Sequence, residues 1–313
     1  MATLAGLALS VSLTSALATD KAASSVLRVG YVGFEKGAHT SGVEGFLDFR
    51  GELRPLLEKA GIKDFTIVAL PNGTNVNEAL ASDQIDIGLL GDTPAVIGRA
   101  NGLKTRLLNI QPDLNAWLIA KVDGPKTVEE LRGKTVATAQ GSYMSKYLLG
   151  LLKEAGLEGE TTFVSLIPPD GKAALERGDI AAFAYPAGFA QDILAEGFVA
   201  IDDAGKHPSL LGAEVAVVSD NYLSNNPDFP KIWSEIYQAS VKAAHAEPDA
   251  FYAFFSEATG YKVESLKAAY PLSHWREESL PLSGLEQVRA TSSFLLDQGI
   301  ASDAVDVEAW VAR

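Results

Sequence analysis

Short apolar runs alternate with helical periodicity along most of the chain. An apolar run at residues 27–32 is followed by apolar positions spaced by three and four from Phe46 to Ala60, and the next apolar run spans residues 65–70. Apolar runs of this length that hardly alternate with polar residues indicate strands buried on both faces. The pattern therefore predicts an α/β fold with a mostly parallel sheet. Pro55 lies inside the first helical pattern, where we expect a break or kink.

The middle of the chain repeats this scheme, and one segment repeats in sequence. Residues 78–86 align with residues 173–181 at an offset of 95 residues, and each segment predicts a short helix, a turn and a buried strand. The match is explained either by a common local αβ solution or by two lobes of similar topology.

Length and pattern together predict two α/β lobes. A chain of 313 residues exceeds the usual size of about 150 residues for one domain. The pattern from Phe229 onward is largely helical, and we expect these helices to cover the first sheet. The predicted boundaries are residues 27–112 plus 213–313 for lobe 1 and 116–208 for lobe 2, with a hinge of two crossovers near 111–115 and 206–213. A ligand would bind in the cleft between the lobes, outside the carboxyl ends of the strands.

Composition excludes several classes of protein. The formal net charge is −14, whereas nucleic-acid binding needs a basic surface, so no nucleic-acid partner is expected. The chain has no cysteine, which excludes disulfides, cysteine–zinc sites, iron–sulfur clusters and a thiol nucleophile.

The N-terminus has the pattern of an export signal. Residues 4–18 are uncharged and apolar or small, and they end in Ala16-Leu17-Ala18, an A-x-A cleavage pattern. We predict that residues 1–18 are a signal peptide and that the mature protein is periplasmic and soluble. The alternative is an N-terminus that is disordered or packed on the core.

A search for catalytic motifs finds nothing to support an enzyme. The four histidines are scattered, and the chain has no H-E-x-x-H, G-x-S-x-G, Walker or G-x-G-x-x-G motif. The sequence therefore predicts no catalytic residue, no metal site and no cofactor.

Several strand-to-helix loops are suited to close backbone contact with a ligand. Residues 91–94 read Gly-Asp-Thr-Pro, with Thr93 as the expected N-cap, and residues 140–143 read Gln-Gly-Ser-Tyr, with Ser142 as the expected N-cap. Residues 70–74 and 168–170 occupy equivalent loops. Helix N-termini carry free N–H groups and partial positive charge, so they can hold small anions without a basic side chain. The alternative is plain helix capping.

At these loops the sequence resembles a known family. Residues 85–95, residues 131–142 and residues 174–180 are similar to the substrate-binding proteins of ABC importers for aliphatic sulfonates, taurine and nitrate. The resemblance implies a type II periplasmic-binding-protein fold that closes on its ligand with no chemical step. It implies capture of a small organic anion, most closely an alkanesulfonate or taurine, and delivery to an ABC permease and its ATPase. A monomer is expected.

The resemblance also implies a set of ligand-binding residues. Tyr185 stands where the family often has Trp, which keeps an aromatic wall, and Arg276 would be the fixed cation unless it is a surface residue beside a core Trp275. Glu35 could pair a ligand amine, which would favour a zwitterion such as taurine. The full set is Gly33, Phe34, Glu35, Asn72, Gly73, Thr74, Asp92, Thr93, Gln140, Ser142, Tyr143, Tyr185 and Arg276.

Two other classes of function remain as alternatives. One is an enzyme on the same two-lobed scaffold, of the type used in pyrimidine-precursor synthesis. The other is the effector domain of a regulator, against which the export signal and the lack of a helix-turn-helix segment argue.

Overall fold

The computed structural model describes residues 26–33 and 39–313. These residues form ten strands in two five-stranded sheets. In chain order the strands are β1 (Val26–Val32), β2 (Asp64–Leu70), β3 (Ile87–Gly91), β4 (Thr105–Leu114), β5 (Ala116–Ala120), β6 (Thr135–Thr138), β7 (Thr162–Ser165), β8 (Ala182–Pro186), β9 (Val199–Asp203) and β10 (Gly212–Ser219).

Thirteen α-helices surround the sheets within the same described residues. They are α1 (Gly42–Phe49), α2 (Leu53–Lys59), α3 (Gly73–Ala81), α4 (Asp92–Ala100), α5 (Tyr143–Glu154), α6 (Pro168–Arg177), α7 (Ala187–Leu194), α8 (Asp220–Asn225), α9 (Phe229–Ala246), α10 (Pro248–Thr259), α11 (Val263–Ala269), α12 (Leu282–Asp297) and α13 (Val307–Trp310). Short 3₁₀ turns lie at Glu129–Leu131, Ala204–Lys206, Pro208–Leu210 and Leu272–His274.

The two sheets have the same topology. Their strand orders are β2-β1-β3-β10-β4 and β7-β6-β8-β5-β9. In each sheet the first three strands are parallel and the fourth is antiparallel to both neighbours. Strands β3 and β8 begin 95 residues apart, as do the helices before them and the helices after them. The predicted α/β fold of two mostly parallel sheets is confirmed, and the sequence repeat corresponds to the same αβα unit in each sheet.

The chain passes between the sheets twice. Asn115 alone separates β4 from β5, and the return from β9 to β10 runs through two 3₁₀ turns between residues 204 and 210. The side chain of Asn115 links the two connections, because its Oδ1 accepts a hydrogen bond from Gly205 N at 3.1 Å. The exact lobe boundaries and the hinge remain a prediction.

The C-terminal helices cover the first sheet. Trp233 and Ile236 of α9 pack in one hydrophobic cluster with Leu27 and Val29 of β1. On the other face, Val288 and Leu295 of α12 join a cluster with residues of β3, β4 and β10. Burial of these apolar faces ties the last third of the chain to the first sheet.

The break in the first helical pattern lies a few residues before Pro55, where it was predicted. The helical pattern is divided at residues 50–52, between α1 and α2, and Pro55 lies in the first turn of α2. A proline is tolerated there because the first N–H groups of a helix have no intrahelical acceptor.

The predicted signal peptide, residues 1–18, lies outside the described residues. In the part of the chain that the structure describes, no helix is long and apolar enough to cross a membrane.

Candidate functional site

A cavity of about 500 Å³ lies between the two sheets. The first sheet contributes the ends of β1 and β3 together with Gln111, Leu114 and Glu214, and the second contributes residues that follow β6 and β7 and the end of β8. Both sheets therefore face the cavity with the carboxyl ends of their parallel strands. This is the position at which open α/β sheets bind ligands.

In the described part of the chain, six helices begin at this cavity. Their N-cap residues all line it, and these are Ser41, Asn72, Gly91, Ser142, Ile167 and Pro186. Asn72 and Ser142 cap their helices through side-chain oxygens, which accept from Asn75 N at 3.1 Å and Ser145 N at 3.2 Å. The other four N-caps make no side-chain capping bond. Converging helix N-termini give the cavity a positive potential that suits an anionic group.

The loop after β3 differs from its predicted geometry. Thr93 was expected as the N-cap of α4, but the N-cap is Gly91, and Asp92 occupies the first helical position. Asp92 is fully buried, and its carboxylate accepts bonds from Thr93 N at 2.7 Å and from the Thr291 hydroxyl at 2.5 Å. Thr93 is also buried. Asp92 and Thr93 therefore support the loop from beneath and do not line the cavity.

Six of the thirteen predicted residues line the cavity. They are Gly33, Asn72, Gly73, Gln140, Ser142 and Tyr143. Trp275, the residue before Arg276, lines it as well. The two loops at residues 70–74 and 140–143 therefore meet across the cleft.

Three further predicted residues lie elsewhere. Thr74 lines a separate surface groove between α3 and α4. Tyr185 is fully buried in the second sheet, stacked on Phe189 with ring centroids 5.0 Å apart, so it forms no wall of the cavity. Arg276 does not line the cavity, and it faces Asp113 at 3.5 Å. Phe34 and Glu35 lie outside the described residues.

Besides Asp170, whose loop the sequence analysis singled out, the predicted set omitted a second carboxylate and several aromatic residues of the cavity. Glu214 lines it from β10, and the aromatic lining that was missed comprises Tyr31, Phe255, Tyr261 and Tyr270. The aromatic residues of α10 recur at helical spacing in the sequence, but this spacing predicts a face that packs in the core as well as one that lines a cavity. Only the topology, which inserts β10 between β3 and β4, reveals the position of Glu214.

Burial changes the acidity of the groups at this site. Burial raises the pKa of Glu214 to about 7, and it raises the pKa of the nearby Glu44 of α1 to about 7, with the charge of Glu214 contributing. Burial raises the pKa of Tyr270 to about 12, and it raises that of Tyr143 well above the usual value; the charge of Glu214 adds to both shifts. Glu214 is therefore close to both phenols.

Within residues 26–33 and 39–313, no group of three or more His, Asp or Glu side chains could hold a metal ion.

Comparison with known proteins finds one matching family and several similar proteins. The family of periplasmic phosphonate substrate-binding proteins of ABC transporters matches residues 49–203. A putative aliphatic sulfonates-binding protein of Escherichia coli is 33% identical over 121 residues, which are 37% of this chain and 38% of that protein. The taurine-binding periplasmic protein of Escherichia coli is 32% identical over 112 residues, which are 35% of each chain. The similarity thus spans less than two fifths of the length of these curated relatives.

Solved structures match over nearly the whole chain. The alkanesulfonate-binding protein SsuA from Xanthomonas axonopodis pv. citri, bound to MOPS, has a TM-score of 0.75 at 21% identity and covers 93% of this chain and 99% of its own. The desulfurization enzyme DSZB has a TM-score of 0.69 at 18% identity, with coverages of 91% and 96%. These likenesses show the two-lobed fold. The resemblance to periplasmic substrate-binding proteins of the sulfonate and taurine type, predicted from the sequence, is confirmed.

Proposed function

We propose that this chain, which has the fold of periplasmic substrate-binding proteins, is an exported receptor for a small organic anion. It captures the anion in the cleft between its sheets and delivers it to an ABC permease and its ATPase. An alkanesulfonate or taurine is the ligand that the curated relatives favour. The phosphonate family match adds a second tetrahedral acid of similar shape to the ligands worth testing.

The observation that carries the proposal is the convergence of six helix N-caps on one cavity. A tetrahedral acid offers three oxygens, and backbone N–H groups at helix N-termini can bind them without a basic side chain. This arrangement suits a chain with a net charge of −14, which can hold an anion only through local potential.

We also propose that binding involves no chemical step and that the receptor works as a monomer. The fold is shared with the enzyme DSZB, so fold alone does not decide between binding and catalysis. The relatives with the higher sequence similarity are binding proteins by name. The chain also has no cysteine that could serve as a nucleophile.

The test is a thermal-shift and calorimetric panel of sulfonates, phosphonates, nitrate and carboxylates, with mass spectrometry of the recovered ligand. A receptor gains thermal stability with one class of acid in a concentration-dependent manner and returns it unchanged. Failure to bind any acid in the panel would refute the proposal, and recovery of a converted ligand would favour the enzyme. Light scattering with and without ligand tests the monomer.

A further inference from the structure

The cavity has acidic side chains in its lining but no basic one in the part of the chain that the structure describes. Glu214 of β10 and Asp170 of α6 both line it, whereas no lysine, arginine or histidine of the described residues does. These two carboxylates oppose the binding of an anionic group, since like charges repel. The positive potential at the cavity therefore has to come from helix N-termini and from charges that lie behind the lining.

One of these helix N-termini carries a carboxylate of the protein itself. Asp92 follows the cavity-lining Gly91 and is the first residue of α4. Its carboxylate is fully buried and accepts a hydrogen bond from Thr93 N at 2.7 Å, so it occupies one of the free N–H groups at that end of the helix. Without compensation, this negative charge would cancel the positive end of α4.

Lys146 of α5 supplies the compensating charge. Its Nζ lies 3.8 Å from the Asp92 carboxylate, and the hydroxyl of Thr291 bridges the two groups. Among the described residues, Lys146 is the only lysine or arginine with a buried side chain. Burial lowers the pKa of Lys146, and the charge of Asp92 opposes this effect. Asp92 therefore favours the charged form of the lysine.

The pair lies behind the cavity lining, at the point where α4 and α5 meet. Tyr143, three residues before Lys146 on α5, lines the cavity, as does Gly91 at the start of α4. A Cβ on Gly91 would lie 3.4 Å from the Tyr143 ring, so the two helix ends are in contact there. Solvent and salt screen buried charges much less than exposed ones, so this pair can act on an anion that it does not touch.

We propose that Lys146 is a positioning residue for anion binding and that it acts through Asp92 without contacting the ligand. Its charge offsets that of Asp92, so the N-terminus of α4 keeps its positive potential toward the cavity. This inference rests on the proposed receptor function and explains how a cavity lined by two carboxylates holds an acid. It also makes the affinity depend on the net charge of the pair, separately from the contribution of the pair to stability.

Three variants separate charge from stability. Lys146→Met leaves the pair with a net negative charge, Asp92→Asn leaves it with a net positive charge, and the double variant is neutral like the wild type. Both single variants leave a buried charge unpaired and should lower the melting temperature. Their affinities for an anion should nevertheless change in opposite directions, whereas a merely structural role would weaken binding in both.

Isothermal titration calorimetry measures the affinity for ethanesulfonate or methylphosphonate, whichever the wild type binds more tightly. We expect Lys146→Met to bind about tenfold more weakly than the wild type, Asp92→Asn to bind more tightly, and the double variant to bind about as tightly. Lys153→Met removes a positive charge from an exposed position on the same helix and should leave the affinity unchanged. If Lys146→Met does not fold, the double variant is compared with Asp92→Asn, from which it differs only in the lysine, and it should bind more weakly.

The outcomes separate the two proposals. If neither acid binds the wild-type protein and the wider panel of acids also fails, the receptor function itself is wrong. If the wild type binds but both single variants lose affinity, or Lys146→Met binds as tightly as the wild type, the receptor stands and the role of Lys146 is wrong. An equal loss in Lys153→Met would also overturn this role, because any positive charge would then serve. Circular dichroism and the melting temperature of each variant establish that it is folded.

Discussion

Lys146 of α5 and Asp92 of α4 lie 3.8 Å apart, and both side chains are fully buried although their helices flank different sheets. Thr291 of α12 bridges them, because its hydroxyl accepts from Lys146 Nζ at 2.8 Å and donates to Asp92 at 2.5 Å. Lys146 also donates to the carbonyl of Leu211 at 2.6 Å, just before β10. One buried polar network thus joins a helix of each sheet, α12 and the connection that leads into β10.

Removing the lysine should destabilise the protein strongly. We expect Lys146→Met to cost about 3–5 kcal/mol of unfolding free energy, because it leaves a buried carboxylate without its counter-charge. Lys267→Met breaks an exposed pair with Asp249 and should cost far less, because water screens exposed charges. Urea unfolding followed by tryptophan fluorescence measures both. The double variant Lys146→Met with Asp92→Asn should recover part of the loss, and a double variant with simply additive losses would argue against coupling of the pair.

The raised pKa of Glu44 predicts a pH-dependent stability. In the folded protein its pKa is about 7, against about 4.5 for the free side chain, so the folded state binds more protons between these values. Its contribution to stability is therefore largest below pH 4.5 and is lost as the pH rises through 7. Glu214 of β10, Tyr237 of α9 and Asp48 of α1 are titratable groups near it.

The neutral variant Glu44→Gln isolates this effect. Its melting temperature relative to the wild type should rise between pH 5 and pH 8, because the wild type alone carries the cost of ionising the carboxyl group. Glu58→Gln on the exposed side of α2 serves as the control and should show no such trend. A relative melting temperature of Glu44→Gln that falls over this range would mean that Glu44 has a stabilising charged partner.

Two buried tryptophans should respond differently to the same substitution. Trp233 Nε1 donates to Asn109 Oδ1 at 2.7 Å, whereas Trp275 Nε1 is buried with no partner in the described residues. Trp233→Phe leaves the amide of Asn109 unpaired, so it should cost about 1–3 kcal/mol more than Trp275→Phe. Urea unfolding of both variants measures the difference. Equal losses would indicate that Trp275 has an unseen acceptor.

Gly188 lies against two of the aromatic rings that line the cavity. A Cβ at this position would lie 2.8 Å from the ring of Tyr261 and 3.0 Å from that of Tyr270, so Gly188→Ala must displace the rings. We expect affinity for a sulfonate ligand to fall by about tenfold, or about 1.4 kcal/mol, because both rings line the cavity. Calorimetry with taurine measures it. Gly124→Ala, away from the cavity, should bind like the wild type, and an unchanged affinity in Gly188→Ala would argue against ligand contact with these rings.

Local patterns were enough to predict the sheets and the loops that meet at the cleft. Buried strands followed by helices give an α/β fold. Residues that follow parallel strands gather at one edge of the sheet, so Asn72, Gln140 and Ser142 could be assigned to the cleft from the sequence. Ser142 is the N-cap of α5, as predicted. Its side chain accepts a hydrogen bond from a residue only three positions later, so the local sequence was enough to identify it.

Features that depend on distant partners could not be predicted. Asp92 is buried at the first position of α4, where its carboxylate accepts a hydrogen bond from Thr291, 199 residues later in the chain. Tyr185 resembles a cleft aromatic in sequence, but its side chain points to the covered face of β8 and stacks on Phe189. Glu214 is one of 40 acidic residues, and its burial depends on where β10 is inserted in the sheet.

The insertion of β10 between β3 and β4 has a consequence for how the chain folds. The first sheet has a gap between β3 and β4 until residues 212–219 are available, so its edge strand β4 has no neighbour in the ladder before then. The second sheet draws all five strands from residues 116–203 and can be completed first. Contacts between strands far apart in sequence form slowly, because a long loop must close before they are made. The lobe that starts the chain is therefore the one expected to finish folding last, and until it does, the buried faces of β3 and β4 are open to aggregation.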